Sequence, residues 1–236
     1  MAVLHLEKIT RVYRKGDTEV RALDGVDLDI EAGEFLTVVG PSGSGKTTFL
    51  NILGCLDSPT EGRIVYDGTE LQGLGEKGRS AYRRERISFV FQSYNLIPVL
   101  TVRENVELPL VIERKRDTAE IRRRAEEMIA AVGLAGMEGR FPRELSGGQE
   151  QRVAIARALV KQPLVILADE PTANLDSHTA EEIVDLMRGI NTARGSTFVF
   201  STHDRLVMEH ARRVVTIRDG RVTADERKNP PSAAGK

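Results

Sequence analysis

The segment at residues 40–47, which reads G-P-S-G-S-G-K-T, constrains the fold of this chain more than any other. It fits the phosphate-binding pattern G-x-x-x-x-G-K-[ST]. An apolar run, FLTVV, precedes it at residues 35–39, and we expect a helix from Lys46 to about Gly54. Because such a loop needs a strand before it and a helix after it, the segment predicts an α/β fold that binds a nucleotide.

The residue types of this loop each suit a phosphate ligand. Its three glycines let the backbone turn tightly and aim N–H groups at phosphate oxygens. The Lys46 side chain can reach the β- and γ-phosphates, and the Thr47 hydroxyl suits Mg²⁺. The candidate nucleotide-binding residues of this segment are Gly40, Pro41, Ser42, Gly43, Ser44, Gly45, Lys46, Thr47 and Thr48.

A second motif, L-V-I-L-A-D-E at residues 164–170, is an apolar strand that ends in two acids. At the carboxyl edge of a parallel sheet such acids face the ligand crevice. We therefore expect Asp169 to hold Mg²⁺ through water and Glu170 to polarise an attacking water. A strand ending in two acids is common by itself, but beside a phosphate loop it is the expected second half of one site.

A third motif, L-S-G-G-Q at residues 145–149, predicts a second helix N-terminus suited to an anion. Ser146 is a good N-cap, and Gly147 and Gly148 would let the backbone approach a phosphate closely. An ordinary capped helix is the alternative interpretation. It explains the serine but not the glycine pair together with Gln149.

Composition excludes several classes of protein. The 236 residues include 34 basic and 35 acidic side chains, a net charge of −1, so we expect no nucleic-acid partner. The single cysteine indicates a reducing compartment. No apolar stretch approaches the roughly 18 residues of a membrane-spanning helix, so any membrane process would require another chain to cross the bilayer.

The order of the predicted elements indicates one domain with an insertion. Short strands are expected in residues 1–35, and strands alternate with helices again from residue 163, which argues for a mainly parallel sheet covered by helices. Between these parts we expect an inserted helical subdomain at about 93–160. Its residues 101–160 are mostly helical, and the first helix begins at the N-cap Thr101. We expect a single domain at 1–225, with residues 226–236 forming a disordered polar tail.

Together the three motifs and the segment S-T-F-V-F-S-T-H-D at residues 196–204 resemble the ATP-binding cassette (ABC) family. The resemblance runs from Tyr13 to about Arg221. It implies the fold of a P-loop NTPase (RecA-like), with a mainly parallel sheet core, an N-terminal antiparallel β subdomain and an inserted α-helical subdomain that carries the signature L-S-G-G-Q.

The resemblance also implies roles for residues whose local sequence indicates none. Tyr13 matches the aromatic residue that stacks on adenine, although a tyrosine near a strand end also packs readily in a core. Gln92 matches a glutamine that contacts Mg²⁺ and the attacking water, and His203 matches a histidine that contacts the γ-phosphate. Asp176 lies in A-N-L-D, residues 173–176, which matches a loop that crosses the dimer contact.

The implied site is therefore shared between two chains. The chain carries one copy of each motif, so we expect a homodimer that closes around ATP, with the signature of one chain facing the phosphate loop of the other. The implied catalytic residues are Glu170, His203 and Gln92; the implied Mg²⁺ ligands are Thr47, Gln92 and Asp169, the last through water; the implied contacts to ATP from the partner chain are Ser146, Gly147, Gly148 and Gln149.

Residues 92–110 and 51–62 are similar to the LolD/MacB group of this family, and less so to FtsE. This implies a separate FtsX/MacB-type permease that docks near residues 93–112 and holds the chain on the cytoplasmic face of the membrane. Apolar residues around Pro98 would form the exposed docking contact, although a well-packed internal turn is the alternative. The residues concerned are Leu96, Ile97, Val99 and Leu100.

Three other functions remain open at this point. An FtsE-like chain would regulate envelope or division machinery instead of moving a substrate. A regulatory module would bind ATP without hydrolysing it, against which Glu170 and His203 argue. A non-transport cassette acting on DNA or ribosomes is disfavoured because such members carry long coiled coils or two cassettes, and this chain has neither.

Overall fold

The computed structural model describes residues 2–16, 18–113 and 117–228. The strands in these ranges are β1 (Ala2–Lys15), β2 (Thr18–Glu31), β3 (Phe35–Val39), β4 (Glu61–Tyr66), β5 (Thr69–Glu70), β6 (Ile87–Phe91), β7 (Val165–Asp169), β8 (Thr197–Ser201), β9 (Arg213–Arg218) and β10 (Arg221–Arg227). The helices are α1 (Lys46–Leu53), α2 (Gly75–Arg86), α3 (Val102–Glu113), α4 (Thr118–Ala131), α5 (Gly147–Leu159), α6 (Ser177–Arg194) and α7 (Arg205–His210).

Six strands form the central sheet in the order β10-β9-β3-β8-β7-β6. The strands β9, β3, β8, β7 and β6 are parallel, and β10 returns antiparallel to β9. Every residue of β8 is buried, as expected for a strand covered on both faces by other elements. The predicted mainly parallel sheet is therefore confirmed.

The register of this sheet places the functional motifs at one edge. Asp169 at the end of β7 pairs with Phe91 on one side and with Ser201 on the other, and Val38 near the end of β3 also pairs with Ser201. The carboxyl ends of β6, β7, β8 and β3 thus meet at the same level. The residues that follow these strands, which carry most of the candidate site, are brought together as a result.

The second sheet is antiparallel, with the order β2-β1-β4-β5. The short strands expected in residues 1–35 are instead a long hairpin, because β1 and β2 each have 14 residues. Apolar residues of β1, including Leu4 and Ile9, share one buried cluster with Val38 of β3 and Phe49 of α1. The hairpin therefore packs on the part of the molecule that contains β3 and α1, and the antiparallel N-terminal subdomain that the resemblance implied is present.

The inserted subdomain is built from α3, α4 and α5, which pack on one another. The predicted apolar face of α4 is buried, and its residues belong to the cluster that also contains Val153 of α5. Thr101 and Glu104 cap α3 reciprocally: Glu104 Oε2 accepts from the Thr101 N–H at 2.8 Å, and the Glu104 N–H donates to Thr101 Oγ1 at 3.3 Å. The predicted helix start is thus confirmed.

The structure differs from the sequence-based expectation in two further places. Helix α2 has no fully buried residue, so its sequence lacks the apolar periodicity by which a helix is recognised. For this reason the sequence did not predict it. At the other end of the chain, β10 continues through Arg227, so residues 226 and 227 are not part of a disordered tail. Residues 229–236 lie outside the described residues.

Candidate active site

Two glycines of the phosphate loop lie directly against the backbones of β9 and β2. A Cβ on Gly40, whose φ is +154°, would lie 2.0 Å from the carbonyl oxygen of Ile217 in β9. A Cβ on Gly45, whose φ is +107°, would lie 2.3 Å from the carbonyl oxygen of Ala22 in β2. At both positions only glycine fits, because a side chain would be strained by the backbone conformation and blocked by a neighbouring carbonyl.

The polar groups of this loop are suited to an anion. The Lys46 ammonium donates to the carbonyl oxygens of Gly40 at 2.8 Å and Pro41 at 3.0 Å, which holds the positive charge across the loop. Ser44 Oγ is buried without a hydrogen-bond partner. Gly45 is the N-cap residue of helix α1 and provides no capping side chain. A phosphate would supply the acceptors that the first-turn N–H groups need.

Asp169 is the last residue of β7, and Glu170 follows it at the edge of the sheet. Burial raises the pKa of Asp169 above its ordinary value, while a hydrogen bond from Ser201 and the charge of Lys46 act in the opposite direction. The chain turns at Glu170, whose φ is +45°. Its N–H donates to the Ser201 carbonyl at 2.9 Å, so the bend is fixed to β8.

The Glu170 carboxylate is engaged by the two residues that follow β8. Its Oε2 accepts a hydrogen bond from Thr202 Oγ1 at 2.7 Å, and its Oε1 lies 2.6 Å from His203 Nδ1. The side chain of Glu170 is 20% exposed, whereas that of His203 is 79% exposed. The acid is therefore held in place, and the histidine projects from the surface.

Gln92, exposed at the end of β6, is joined to the loop after Glu170. Asn174 Nδ2 donates to the Gln92 carbonyl at 3.0 Å, and Gln92 Nε2 contacts Asn174 Oδ1 at 3.4 Å. Two residues on, Asp176 caps α6 by accepting from the Thr179 N–H at 3.0 Å. Sequence reasoning did not single out Asn174, although its place between Ala173 and Asp176 was the available signal.

The signature segment begins α5 as predicted. The Ser146 side chain accepts from the Gln149 N–H at 3.3 Å, and Gln149 Oε1 accepts from the Ser146 N–H at 3.0 Å. A Cβ on Gly148 would lie 2.4 Å from Thr179 Cγ2 in α6, and one on Gly147 would lie 3.0 Å from the Tyr94 hydroxyl. The glycine pair thus has an internal packing reason besides any contact with an anion.

Tyr13 is not a core tyrosine, since it is 37% exposed. Its hydroxyl donates to Asp57 Oδ2 at 2.7 Å, and the guanidinium carbon of Arg11 lies 4.6 Å from the centre of its ring. Arg11 also forms an ion pair with Asp57 at 2.7 Å. Sequence reasoning did not find Asp57, because nothing in the local pattern links residues 44 positions apart. It also did not find the contact with Arg11.

The structure thus gathers the phosphate loop, Gln92, Asp169, Glu170 and His203 at one edge of the sheet. The signature segment instead packs beside Tyr94, Leu175 and Thr179. Among the described residues, no hydrogen bond joins residues 40–48 to residues 145–149. One chain therefore contains two helix N-termini suited to phosphate, and the two pack against different neighbours.

Comparison with known proteins decides which family this arrangement belongs to. The model for the ABC transporter family matches residues 23–173, a range that contains the phosphate loop, Gln92, the signature segment and Glu170. The chain belongs to the ABC transporter family. It carries the ATPase domain of that family, and the prediction of an ATPase is confirmed.

Relatives cover the cassette along almost its whole length. An uncharacterised ABC transporter ATP-binding protein of Thermotoga maritima is 46% identical over 226 residues, which is 96% of each chain. The cassette MJ0796 of Methanocaldococcus jannaschii has been solved as a dimer, in one case in a post-hydrolysis state bound to ADP and Pi. That structure has a TM-score of 0.86 and 44% identity, and the match covers 96% of this chain and 99% of that one.

The resemblance to the MacB group is also confirmed. The macrolide export ATP-binding/permease protein MacB of Hyphomonas neptunium is 47% identical over 223 residues. These residues are 94% of this cassette but 34% of MacB, so the chain spans about a third of that relative. In the part of the cassette that the structure describes, the helices are too short or too polar to cross a bilayer.

Proposed function

We propose that this cassette hydrolyses Mg-ATP at two sites formed between two copies of the chain, and that closing and opening of the dimer drives a separate permease. The observation that carries the proposal is the separation of the two phosphate-suited helix starts, at Gly45 and at Ser146. One triphosphate bridging them requires the second helix start to come from another chain. The dimeric structures of MJ0796 support this reading.

Mg²⁺ fits the oxygen-rich groups at this edge of the sheet. The hydroxyl of Thr47, the amide of Gln92 and the carboxylate of Asp169 offer the oxygen ligands that this ion prefers, with Asp169 acting through water. A bound divalent cation would favour the charged form of Asp169, which burial alone disfavours. When bound, the ion neutralises charge on the phosphates.

Each side chain then has a distinct task. Lys46 neutralises the terminal phosphates, and the N–H groups of the loop from Gly40 to Thr48 cradle them. Glu170 accepts a proton from the attacking water, a contribution typically worth about 10²–10⁴ in rate. His203 donates to the γ-phosphate in this proposal, which its exposed ring beside Glu170 supports. Tyr13 stacks on the base.

A groove lined in part by Phe91 and Asn95, which flank Gln92 in the sequence, suits the permease. It has a volume of about 430 Å³ and is lined by Leu56, Phe89, Phe91, Ile97 and Pro109 together with four basic residues, Arg83, Arg84, Arg157 and Lys161. Beside it, Val99 is 77% exposed and Pro98 is exposed, whereas Leu96, Ile97 and Leu100 are partly buried. The expected apolar contact is therefore narrower than the sequence indicated, with Val99 as its main exposed residue.

Two side chains, Asn105 and Arg157, fix the backbone of residues 94–101, which belong to the segment that would dock the permease. Asn105 is fully buried, and its Nδ2 donates to the carbonyls of Ile97, Leu100 and Thr101 at 3.0–3.1 Å. Arg157 donates to the carbonyls of Tyr94 at 2.6 Å and Asn95 at 2.5 Å. Because Asn95 lies three residues after Gln92, a load applied by a permease here can be transmitted to the site. Bound in this way, the cassette would lie on the cytoplasmic face of the membrane.

Mixing two inactive variants tests whether the site is shared between chains. Lys46→Ala removes the phosphate-loop cation, and Ser146→Arg blocks the signature helix start. Each should be inactive alone, because both sites of its homodimer carry the defect. In a mixed dimer the two defects fall in one site and the other site is intact, so phosphate release should return. A mixture as inactive as its components would show that ATP is hydrolysed within a single chain.

A further inference from the structure

We propose that Asp57 and Arg11 are positioning residues that hold the ring of Tyr13 ready to stack on the base of the nucleotide. This inference rests on the proposed function, since it takes a purine nucleotide as the ligand. It adds two residues outside the phosphate loop, the acid pair and the signature, and it assigns the segment after α1 a role in recognition.

The carboxylate of Asp57 contacts both Tyr13 and Arg11. Asp57 Oδ2 accepts from the Tyr13 hydroxyl at 2.7 Å, while Asp57 Oδ1 lies 2.7 Å from Arg11 Nη2. Arg11 and Tyr13 are two positions apart on β1 and therefore share a face of the strand. The guanidinium carbon of Arg11 lies 4.6 Å from the centre of the Tyr13 ring, the distance of a cation–π contact.

The Arg11 and Asp57 side chains are largely shielded from solvent, whereas the ring of Tyr13 remains accessible. The Arg11 and Asp57 side chains are 25% and 22% exposed, so their ion pair is screened less than a pair on the open surface. Tyr13 itself remains 37% exposed although Arg11 covers one face and Asp57 holds the hydroxyl. The exposed part of the ring is the surface that would stack on the base.

The cluster is tied to the phosphate loop from two directions. In the β1–β2 hairpin, Arg11 pairs with Leu23, whose Cδ2 would be 3.1 Å from a Cβ on Gly45. Asp57 follows α1, the helix that begins at this loop, and its N–H donates to the Asn51 carbonyl at 3.2 Å. The Tyr13 cluster and the phosphate loop are therefore connected both through the β1–β2 hairpin and through α1.

The segment that carries Asp57 is also fastened to the strand that carries Tyr13. The Thr60 N–H donates to the Thr10 carbonyl at 2.7 Å, and the Val12 N–H donates to Thr60 Oγ1 at 3.0 Å. With the acid fixed in this way, its hydrogen bond restricts rotation of the tyrosine ring. A ring already in place loses less conformational entropy when the base binds, so affinity rises through preorganisation.

The test compares ATP with tripolyphosphate, which carries the phosphates but no base. Both ligands are titrated with Mg²⁺ into the full chain and into the Asp57→Ala, Tyr13→Phe and doubly substituted variants. We expect each single substitution to raise the Kd for ATP roughly two- to tenfold, the cost of immobilising one side chain that is no longer held in place. The double variant should be no weaker than either single one, because both remove the same contact.

Tripolyphosphate and the steady-state constants distinguish positioning from general damage. The Kd for tripolyphosphate should stay at the wild-type value in all three variants, and KM for ATP should rise while kcat at saturation stays the same. Asp57→Asn keeps an oxygen that can accept from Tyr13, so it should lose less affinity than Asp57→Ala. The matched control is Glu7→Ala, since Glu7 lies on the same strand in a half-exposed pair with Arg63 at 3.0 Å.

Two results would overturn the inference. One is an Asp57→Ala variant that binds ATP as the wild type does; the other is an equal loss of affinity for ATP and for tripolyphosphate, which indicates a damaged loop. If instead the wild-type chain bound neither ligand, the proposed function itself would fail. The two failures are therefore separable within one set of titrations.

Discussion

Nδ1 of His203 lies 2.6 Å from Oε1 of Glu170, and the other oxygen of that carboxylate accepts a hydrogen bond from Thr202. The two side chains are 33 positions apart but meet because β7 and β8 are neighbours with Asp169 opposite Ser201. The end of β8 thus orients the acid after β7. This relationship leads to the first of four predictions.

Replacing Glu170 by Gln should stop hydrolysis without preventing ATP binding. The amide keeps the size of the side chain and its contacts with Thr202 and His203 but has no carboxylate to take a proton, so phosphate release should fall by about 10²–10⁴. Gel filtration with Mg-ATP should then show a lasting dimer, because hydrolysis no longer separates the chains. Phosphate release at the wild-type rate would mean that another group activates the water.

Replacing Lys46 by Ala should remove most nucleotide affinity. The ammonium now held by the carbonyls of Gly40 and Pro41 would contact the terminal phosphates, and a hydrogen bond to a charged group makes the expected rise in Kd roughly 10- to 100-fold. Titration with a fluorescent ATP analogue measures it. Lys8→Ala serves as the control because the Lys8 side chain is 74% exposed on the hairpin surface; equal affinities in the two variants would exclude the assigned role.

Replacing Gly148 by Ala should loosen the signature helix from α6. The new Cβ would lie 2.4 Å from Thr179 Cγ2, and forcing a methyl group into a packed contact costs about 1–3 kcal/mol. We expect a lower thermal midpoint and weaker ATP-dependent dimerisation. Adding Thr179→Ser should restore both, since serine lacks Cγ2 but keeps the hydroxyl that donates to Asp176 Oδ2 at 2.6 Å.

The control for that experiment lies in α6 itself. A Cβ on Gly189 would meet no atom within 4 Å, so Gly189→Ala should leave stability unchanged or raise it slightly. If Gly148→Ala were as stable and as dimerisation-competent as Gly189→Ala, the close contact with Thr179 would not be what requires glycine at residue 148.

Replacing Arg213 by Met should destabilise the fold in a pH-dependent way. The Arg213 side chain is 7% exposed and pairs with Glu34 at 2.9 Å and with Asp225 at 2.6 Å. Breaking a buried pair of this kind costs about 3 kcal/mol at neutral pH, measured as the free energy of unfolding in urea. Arg14→Met, in a pair with Glu19 whose side chains are 79% and 54% exposed, should cost about 1 kcal/mol or less.

The pH dependence follows from Asp225. Its hydrogen bond with Arg213 lowers the pKa of Asp225 below the ordinary value of 3.8. A carboxyl whose pKa is lower in the folded state stabilises the fold above its unfolded pKa, and that stabilisation is lost as the pH falls through the folded value. The difference in the free energy of unfolding between wild type and Arg213→Met should therefore have its full size at pH 7 and become smaller below about pH 3.8. A constant difference would exclude this pair as its source.

The sequence alone was enough for the alternation of strands and helices around the motifs and for the local conformation of the motifs. The phosphate loop, the acids after β7 and the capped start of α5 are local patterns whose residue types set the backbone conformation and hydrogen bonds within a few positions. The buried face of α4 was likewise readable from helical spacing. The assigned catalytic and metal-binding roles of these residues remain predictions until the variants are measured.

Other features depend on which distant segments touch. Helix α2 has no fully buried residue, the second strand of the hairpin is longer than its alternation indicates, and only part of the segment around Pro98 is exposed. The contacts of Glu170 with His203, of Gly148 with Thr179 and of Tyr13 with Asp57 join residues 31 to 44 positions apart. Residue types and spacing determine local backbone conformation, whereas the partner of an individual side chain is decided only by the register and packing of the folded chain.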